Sequence, residues 1–222
     1  KAGYEMASAQ FALNGRQPLS SVDTSSMSDV QVSTQGDNLV IGGRNFKTAF
    51  NTQTGIMTSL QYGEKEMIHN QSGFNLNWYR SVNNDKYTDQ NYYTTENDKP
   101  MFSYQLSPDK KSVTILTATT ATIKSPKEVR IPYTVKYTIY GDGTIDVDAN
   151  FTSPSAGSFV HRLGLQVVLP EGMENVRYYG RGPHENYWDR KLSAYIGQYQ
   201  TTAKGMEQEH YVRAQSMGNR ED

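Results

Sequence analysis

From Val30 onward apolar and polar residues alternate with a period of two, the signature of strands with one buried face. Val30 and Val32, then Leu39 to Ile41, predict short strands around a Gly36-Asp37-Asn38 turn. Phe46, Thr48 and Phe50 share one face of the next strand, and Asn51-Thr52-Gln53-Thr54-Gly55 turns it into another over Ile56 to Tyr62. Phe74, Leu76 and Trp78 alternate with Asn75, Asn77 and Tyr79, a strand buried on one side only. Met101–Leu106 and Val113–Ala118 flank the Ser107-Pro108-Asp109-Lys110-Lys111 turn, whereas Thr119 to Lys127 carries no clear period. Phe159, His161, Leu163, Leu165, Val167 and Leu169 predict the longest alternating strand, stopped by Pro170-Glu171-Gly172, with His161 a hydrogen-bonded core residue. Val176 with Tyr178, and Tyr195 to Tyr199, complete the pattern.

One hairpin can be registered from its faces. Tyr133, Val135, Tyr137 and Ile139 precede Gly141-Asp142-Gly143, and Ile145, Val147, Ala149 and Phe151 follow it. A two-residue turn would set Ile139 against Asp146. A three-residue Gly141–Gly143 loop sets Ile139 against Ile145, Tyr137 against Val147 and Lys136 against Asp148, and leaves Gly143 for the left-handed position. The second register is the expected one.

Composition narrows the class. The formal charge of −1 leaves no basic face for nucleic acid or an anionic membrane, and no apolar run approaches the ~18 residues of a membrane-spanning helix. Sixteen tyrosines suit strands, and the absence of cysteine excludes disulfides and thiol chemistry. The chain opens at Lys1 with neither Met nor a leader pattern, so a processed or excised piece is expected.

Two stretches escape the alternation. Arg80 to Pro100 is polar, holding Asn83, Asn84, Asp85, Asp89, Asn91, Asn97 and Asp98 with Tyr87, Tyr92 and Tyr93, and reads as a long loop. Tyr178-Tyr179-Gly180-Arg181-Gly182-Pro183-His184-Glu185-Asn186-Tyr187-Trp188-Asp189-Arg190 has neither helical nor strand period. Its glycines permit unusual backbone, and Pro183 fixes its own φ and restrains Gly182. Arg181, Glu185, Asp189 and Arg190 are expected to pair across the loop, with Tyr187 and Trp188 packed beneath. Residue chemistry alone makes this a rigid corner between two strands.

Residues 180–190, Gly-Arg-Gly-Pro-His-Glu-Asn-Tyr-Trp-Asp-Arg, closely resemble the Gly-x-Gly-Pro-x-Glu-Asn-Tyr-x-Asp-Arg signature of the C-terminal small-chain domain of glycoside hydrolase family 2 β-galactosidases. The resemblance extends to Arg44-Asn45-Phe46 with Phe50-Asn51-Thr52-Gln53-Thr54-Gly55. It also covers Trp78 to Asp85, where Val82 replaces a proline and one residue is missing. Tyr211 to Asp222 is similar to a further motif, Tyr-Val-x-Pro-Gln-Glu-x-Gly-Asn, with Ala214 in place of proline; the chain stops inside that motif, although the family's domain continues.

The resemblance implies an all-β fold, an antiparallel β super-sandwich of the galactose-mutarotase type. It implies that residues 1–14 are the last strand of a preceding immunoglobulin-like domain, 15–29 a linker of Ser, Gly and Pro composition, and 30–222 the small-chain domain, truncated at its C-terminus. The parent would be a glycosidase of carbohydrate metabolism that hydrolyses terminal β-D-galactosides. Its catalytic glutamates, and the divalent and monovalent cations that such enzymes often use, would belong to an upstream (β/α)8 barrel. An aromatic residue given to the sugar site would lie beyond residue 222. This chain would be catalytically silent and without a cofactor of its own. It would buttress the barrel and wall one side of the pocket, with Arg80, Asn83, Asn84 and Asp85 nearest the substrate. Gly180, Arg181, Gly182, Pro183, Glu185, Asn186, Tyr187, Asp189 and Arg190 form the structural signature. Expected partners are the barrel and immunoglobulin-like domains of the same parent chain and the β-galactoside, with neither nucleic acid nor membrane.

Glycoside hydrolysis normally uses two carboxylates at a set separation. Glu185 and Asp189 are such a pair by type, yet Arg181 and Arg190 beside them favour an ion-pair network. Four histidines without cysteine show no zinc spacing. Asn70-Gln71-Ser72 and Asn150-Phe151-Thr152 fit the glycosylation sequon, which matters only in a secretory host. Two other readings stay open: a non-catalytic carbohydrate-binding β-sandwich, and a mutarotase-like epimerase. The latter needs a histidine and a carboxylate converging on one sheet face, a pair the sequence does not place.

Overall fold

The computed structural model describes residues 3, 4, 6–13, 21–78, 94–124, 128–154, 160, 162–207 and 217–221. They fall into two compact units, one drawn from between Val22 and Pro170, the other from Glu171 onward together with the N-terminal residues up to Ser21.

The first unit is a β-sandwich. One sheet is a five-stranded antiparallel meander of β1 (Gln31–Gln35), β2 (Asn38–Gly42), β3 (Phe46–Asn51), β4 (Met57–Tyr62) and β5 (Lys65–Glu66). The second is built on two long strands, β9 (Ser112–Lys124) and β10 (Val129–Tyr140). β11 (Ile145–Phe151) lies on the β10 edge, and β7 (Thr94–Asn97) and β8 (Met101–Leu106) share the β9 edge. A short ribbon pairs β6 (Asn75–Asn77) with β12 (Gly164–Gln166).

Period two explains the core. The odd-numbered Val113, Ile115, Thr117, Ala121 and Ile123 of β9 are buried, as are Val129, Ile131, Val135, Tyr137 and Ile139 of β10. Against them pack Leu39, Ile41, Phe46, Phe50 and Met57 of the meander. Phe50 meets Tyr137 edge to face at 5.0 Å, a favoured aromatic geometry. Burial pushes the Tyr137 phenol far above its ordinary range. Ile123, Val129 and Ile131 form a second cluster with Trp78 and Val160, and the Trp78 indole N–H donates to Thr95 Oγ1 at 2.7 Å.

The hairpin has the expected register: Ile139 faces Ile145, Tyr137 faces Val147, and Lys136 faces Asp148 with an ion pair of 3.3 Å. Gly143 has φ +91°. A side chain there would also meet Tyr62 and Phe46 at 3.1–3.2 Å, and the Tyr62 hydroxyl donates to the Gly143 carbonyl at 2.7 Å.

Several expectations are corrected. The patternless run after Ala118 continues β9 to Lys124, because β10 and β7 give it ladder partners on both edges. Thr94–Asn97, read as loop, is β7; its polar side chains show no alternation, and the β9 edge alone makes it a strand. The predicted long strand ending at Leu169 is, among the described residues, only Gly164–Gln166, since its partner β6 offers three rungs and no more. Leu163 and Leu169 are accordingly exposed, and Phe159 and His161 lie outside the described residues. The strand-like N-terminal piece forms no strand among the residues described there, and Met6, Phe11 and Leu13 are exposed. It touches the second unit's framework through side chains instead.

The second unit's framework is a two-stranded antiparallel ribbon, β13 (Asn175–Gly182) and β14 (Tyr195–Thr202). The first five residues of the Tyr178–Arg190 stretch are therefore strand, with the corner following. Gln10 reaches Ile196 of β14: its Nε2 donates to the Ile196 carbonyl at 2.8 Å and its Oε1 accepts the Ile196 amide at 2.6 Å.

Candidate functional site

The corner at residues 183–194 joins β13 to β14 and receives the segment Gly218–Glu221 from the end of the chain. Asn186 is its centre, fully buried with every polar atom used. Its amide donates to the Asn219 carbonyl at 3.0 Å, and its carbonyl accepts from Asn219 Nδ2 at 2.7 Å. Its Nδ2 donates to the carbonyls of Arg181 and His184 at 3.1 and 3.4 Å, while its Oδ1 accepts the Glu221 amide at 2.9 Å. Two obligate acceptors and one obligate donor leave the carboxamide a single orientation.

Glu185 is the buried charge. One oxygen accepts from Arg190 Nη2 at 2.7 Å, the other from the Gly218 amide at 3.0 Å. The Arg190 guanidinium also lies 5.8 Å from the centre of the Tyr187 ring, within cation–π range. The expected carboxylate–arginine pair is thus Glu185 with Arg190. Arg181 does not join it: its Nη1 donates to the Ala194 carbonyl at 3.0 Å, and its buried Nε has no hydrogen-bond partner. Asp189 is exposed and makes no ion pair among the described residues. Trp188, expected to pack beneath the loop, is 72 % exposed, because the turn that aims Tyr187 inward points its neighbour outward; Tyr187 is half-buried.

The glycines act differently from the expectation too. Neither Gly180 nor Gly182 has positive φ; Gly218 does, at +79°. Gly182 is required by proximity instead, since a Cβ there would lie 2.4 Å from the Tyr178 hydroxyl and 2.8 Å from the Tyr199 ring. The Gly182–Pro183 bond is cis. The Pro183 carbonyl accepts from the Tyr178 hydroxyl at 3.2 Å and from Arg220 Nη2 at 3.1 Å, and Arg220 Nε donates to the Tyr178 hydroxyl at 2.9 Å. His184 Nδ1 is 2.7 Å from the Glu185 carbonyl, which only accepts, so that nitrogen carries the proton. In the neutral ring Nε2 is left to accept from the Ser193 hydroxyl at 3.2 Å.

Chemically this is a knot, not a reaction centre. Its one buried carboxylate is held by a cation and an amide, and no second carboxylate faces it. Gly218, Asn219, Arg220 and Glu221 were the members that reading the corner by itself could not supply. Arg80, Asn83, Asn84 and Asp85, the expected pocket-proximal residues, lie outside the described residues.

The family model for the β-galactosidase small chain matches residues 42–222. The chain belongs to that family. Small-chain relatives are found in much longer proteins. The β-galactosidase of Priestia megaterium (strain DSM 319 / IMG 1521) is 28 % identical over 228 aligned positions, covering 100 % of this chain and 21 % of its own length. That of Lactobacillus delbrueckii subsp. bulgaricus is 31 % identical, covering 82 % of this chain and 18 % of its own length. The chain thus spans about a fifth of these relatives. A β-galactosidase of Psychromonas ingrahamii is 42 % identical over a shorter stretch of 64 residues.

Proposed function

We propose that the chain is the supporting domain of an enzyme that hydrolyses terminal β-D-galactosides, and that it supplies neither the acid nor the nucleophile. The observation that carries this reading is the state of Glu185. Within a small-chain domain it is the signature carboxylate, yet it is buried and engaged by Arg190 and Gly218, so it cannot present itself to a glycosidic oxygen. Both catalytic glutamates would then come from a (β/α)8 barrel of the parent, as would any divalent or monovalent cation the reaction uses. The neighbouring immunoglobulin-like domain and the barrel are the proposed partners within the parent chain. Arg80, Asn83, Asn84 and Asp85 are proposed to wall the sugar pocket, on the strength of their amide, carboxylate and guanidinium groups and of the matching family segment.

The test uses a chromogenic β-galactoside. The 222-residue chain alone should give no turnover, whereas turnover that survives purification and vanishes in Glu185→Gln would overturn the reading. In the parent enzyme Asn84→Ala should raise KM more than it lowers kcat, and an unchanged KM would remove the pocket role.

A further inference from the structure

We propose that the outer edge of β13, from Asn175 to Tyr179, is an acceptor for an extended peptide strand added antiparallel to it. The argument begins with the direction of the backbone groups. Arg181 pairs with Ile196 across the ribbon, yet its amide donates to the Glu221 carbonyl at 2.9 Å. The Arg181 N–H therefore points away from β14. The opposite residue agrees, for both backbone groups of Ile196 point away from β13 to the Gln10 carboxamide. Backbone groups alternate along a strand with period two, so Tyr179, Arg177 and Asn175 also direct N–H and C=O to that outer edge. No partner takes the amides of Arg177 or Tyr179 among the described residues.

The edge is already occupied at one end, which fixes the direction of the guest. Asn219 bonds at Asn186 and Glu221 at Arg181: the segment's numbers rise as those of the corner fall, so it runs antiparallel to β13. A strand in line with it would next meet Tyr179 and then Arg177. The side chains state the chemistry of the guest. Arg177 and Tyr179 are exposed on one face, opposite the exposed Gln200 and Gln198 of β14, and Arg177 has no ion-pair partner among the described residues. A guest strand with an acidic residue beside Arg177 and β-branched residues elsewhere complements this edge. A two-stranded ribbon is marginal by itself, and a third strand completes a stable unit. Open edges are where such pairing occurs. The inference stands apart from the galactosidase reading, since it rests on hydrogen-bond directions alone.

The probe is a short fluorescein-labelled peptide alternating threonine and valine around a central glutamate, titrated into the 222-residue chain with anisotropy as readout. Saturable binding is expected, with amide exchange of Arg177 and Tyr179 slowed and that of β1 to β5 unchanged. The same peptide N-methylated on its ladder-facing amides should bind at least about tenfold more weakly, since each lost backbone bond weakens binding by roughly fivefold. Tyr179→Pro, which removes one edge donor, should weaken the unmodified peptide similarly. No binding, binding indifferent to N-methylation, or slowed exchange elsewhere would overturn the proposal. So would sedimentation showing that a second copy of the chain, and not the peptide, fills the edge.

Discussion

Replacing Glu185 by alanine tests whether the corner holds the second unit together. The carboxylate side chain is 4 % exposed and accepts from Arg190 at 2.7 Å, while Arg190 keeps 43 % of its own side-chain surface in water. Stranding a fully buried charge costs about 3–5 kcal/mol, but solvent can take over much of the Arg190 charge, so that figure is too large here. What remains is a charge-assisted hydrogen bond of about 1.5–3 kcal/mol and the Gly218 amide, which loses its acceptor at about 1–3 kcal/mol. With part of each recovered by water, Glu185→Ala should lose about 2–4 kcal/mol, a melting shift of roughly 5–15 °C for a chain of this size. The two tryptophans are Trp78 and Trp188, one in each unit. Trp188 fluorescence in a Trp78→Phe background therefore reports the second unit alone. Glu185→Gln should fall between, because its amide can still accept from Gly218 without balancing Arg190. Glu171→Ala, at an exposed turn, is the control. If Glu185→Ala melts with that control, the corner is not a structural knot and its carboxylate is free for other work.

Gly143→Val should destabilise the first unit by about 1–2 kcal/mol or more in urea unfolding, because a β-branched residue would be forced to positive φ against Tyr62 and Phe46; a neutral result would remove the strain argument. Gly182→Ala should cost about 1–3 kcal/mol by overpacking against Tyr178 and Tyr199, seen as a lower melting point read at Trp188. Glu66 gives a pH prediction. Burial acts against its charge, but the Ser59 hydroxyl and the amides of Leu60, Ile68 and Met67 outweigh burial and hold the carboxyl below its ordinary value. The stability this confers is full above the unfolded-state pKa of about 4.3 and is lost as pH falls through the folded value. Glu66→Gln should therefore flatten the acid limb of a stability–pH curve below about pH 4.5, and an unchanged limb would refute it.

What the sequence made legible follows from what period two encodes. Alternation reports which side chains share a buried face, so the Phe46–Phe50 face and the Ile139–Ile145 register could be read directly: a slip by one residue turns a whole face to water. It does not report who pairs along an edge. Thr94–Asn97 becomes a strand because β9 extends past β8, and the run ending at Leu169 stays mostly unpaired because β6 is short. Neither fact resides in the segment concerned. The corner divides the same way. Glu185 and Arg190 lie five positions apart and could be matched by charge, whereas Gly218 lies 33 positions from Glu185. The legible clue was a surplus. Asn186 carries two side-chain donors and an acceptor into a turn whose own backbone takes only the donors, at Arg181 and His184. A buried carboxamide with an unused acceptor needs an amide from elsewhere, and the Gly-Asn motif near the end of the chain supplies one at Glu221. Asn186→Leu, close in size and without polar atoms, should then release the Gly218–Glu221 segment before it loosens β13 and β14. Proteolysis confined to the C-terminal residues would show this, whereas simultaneous cleavage in both strands would mean that the segment and the ribbon form one cooperative body.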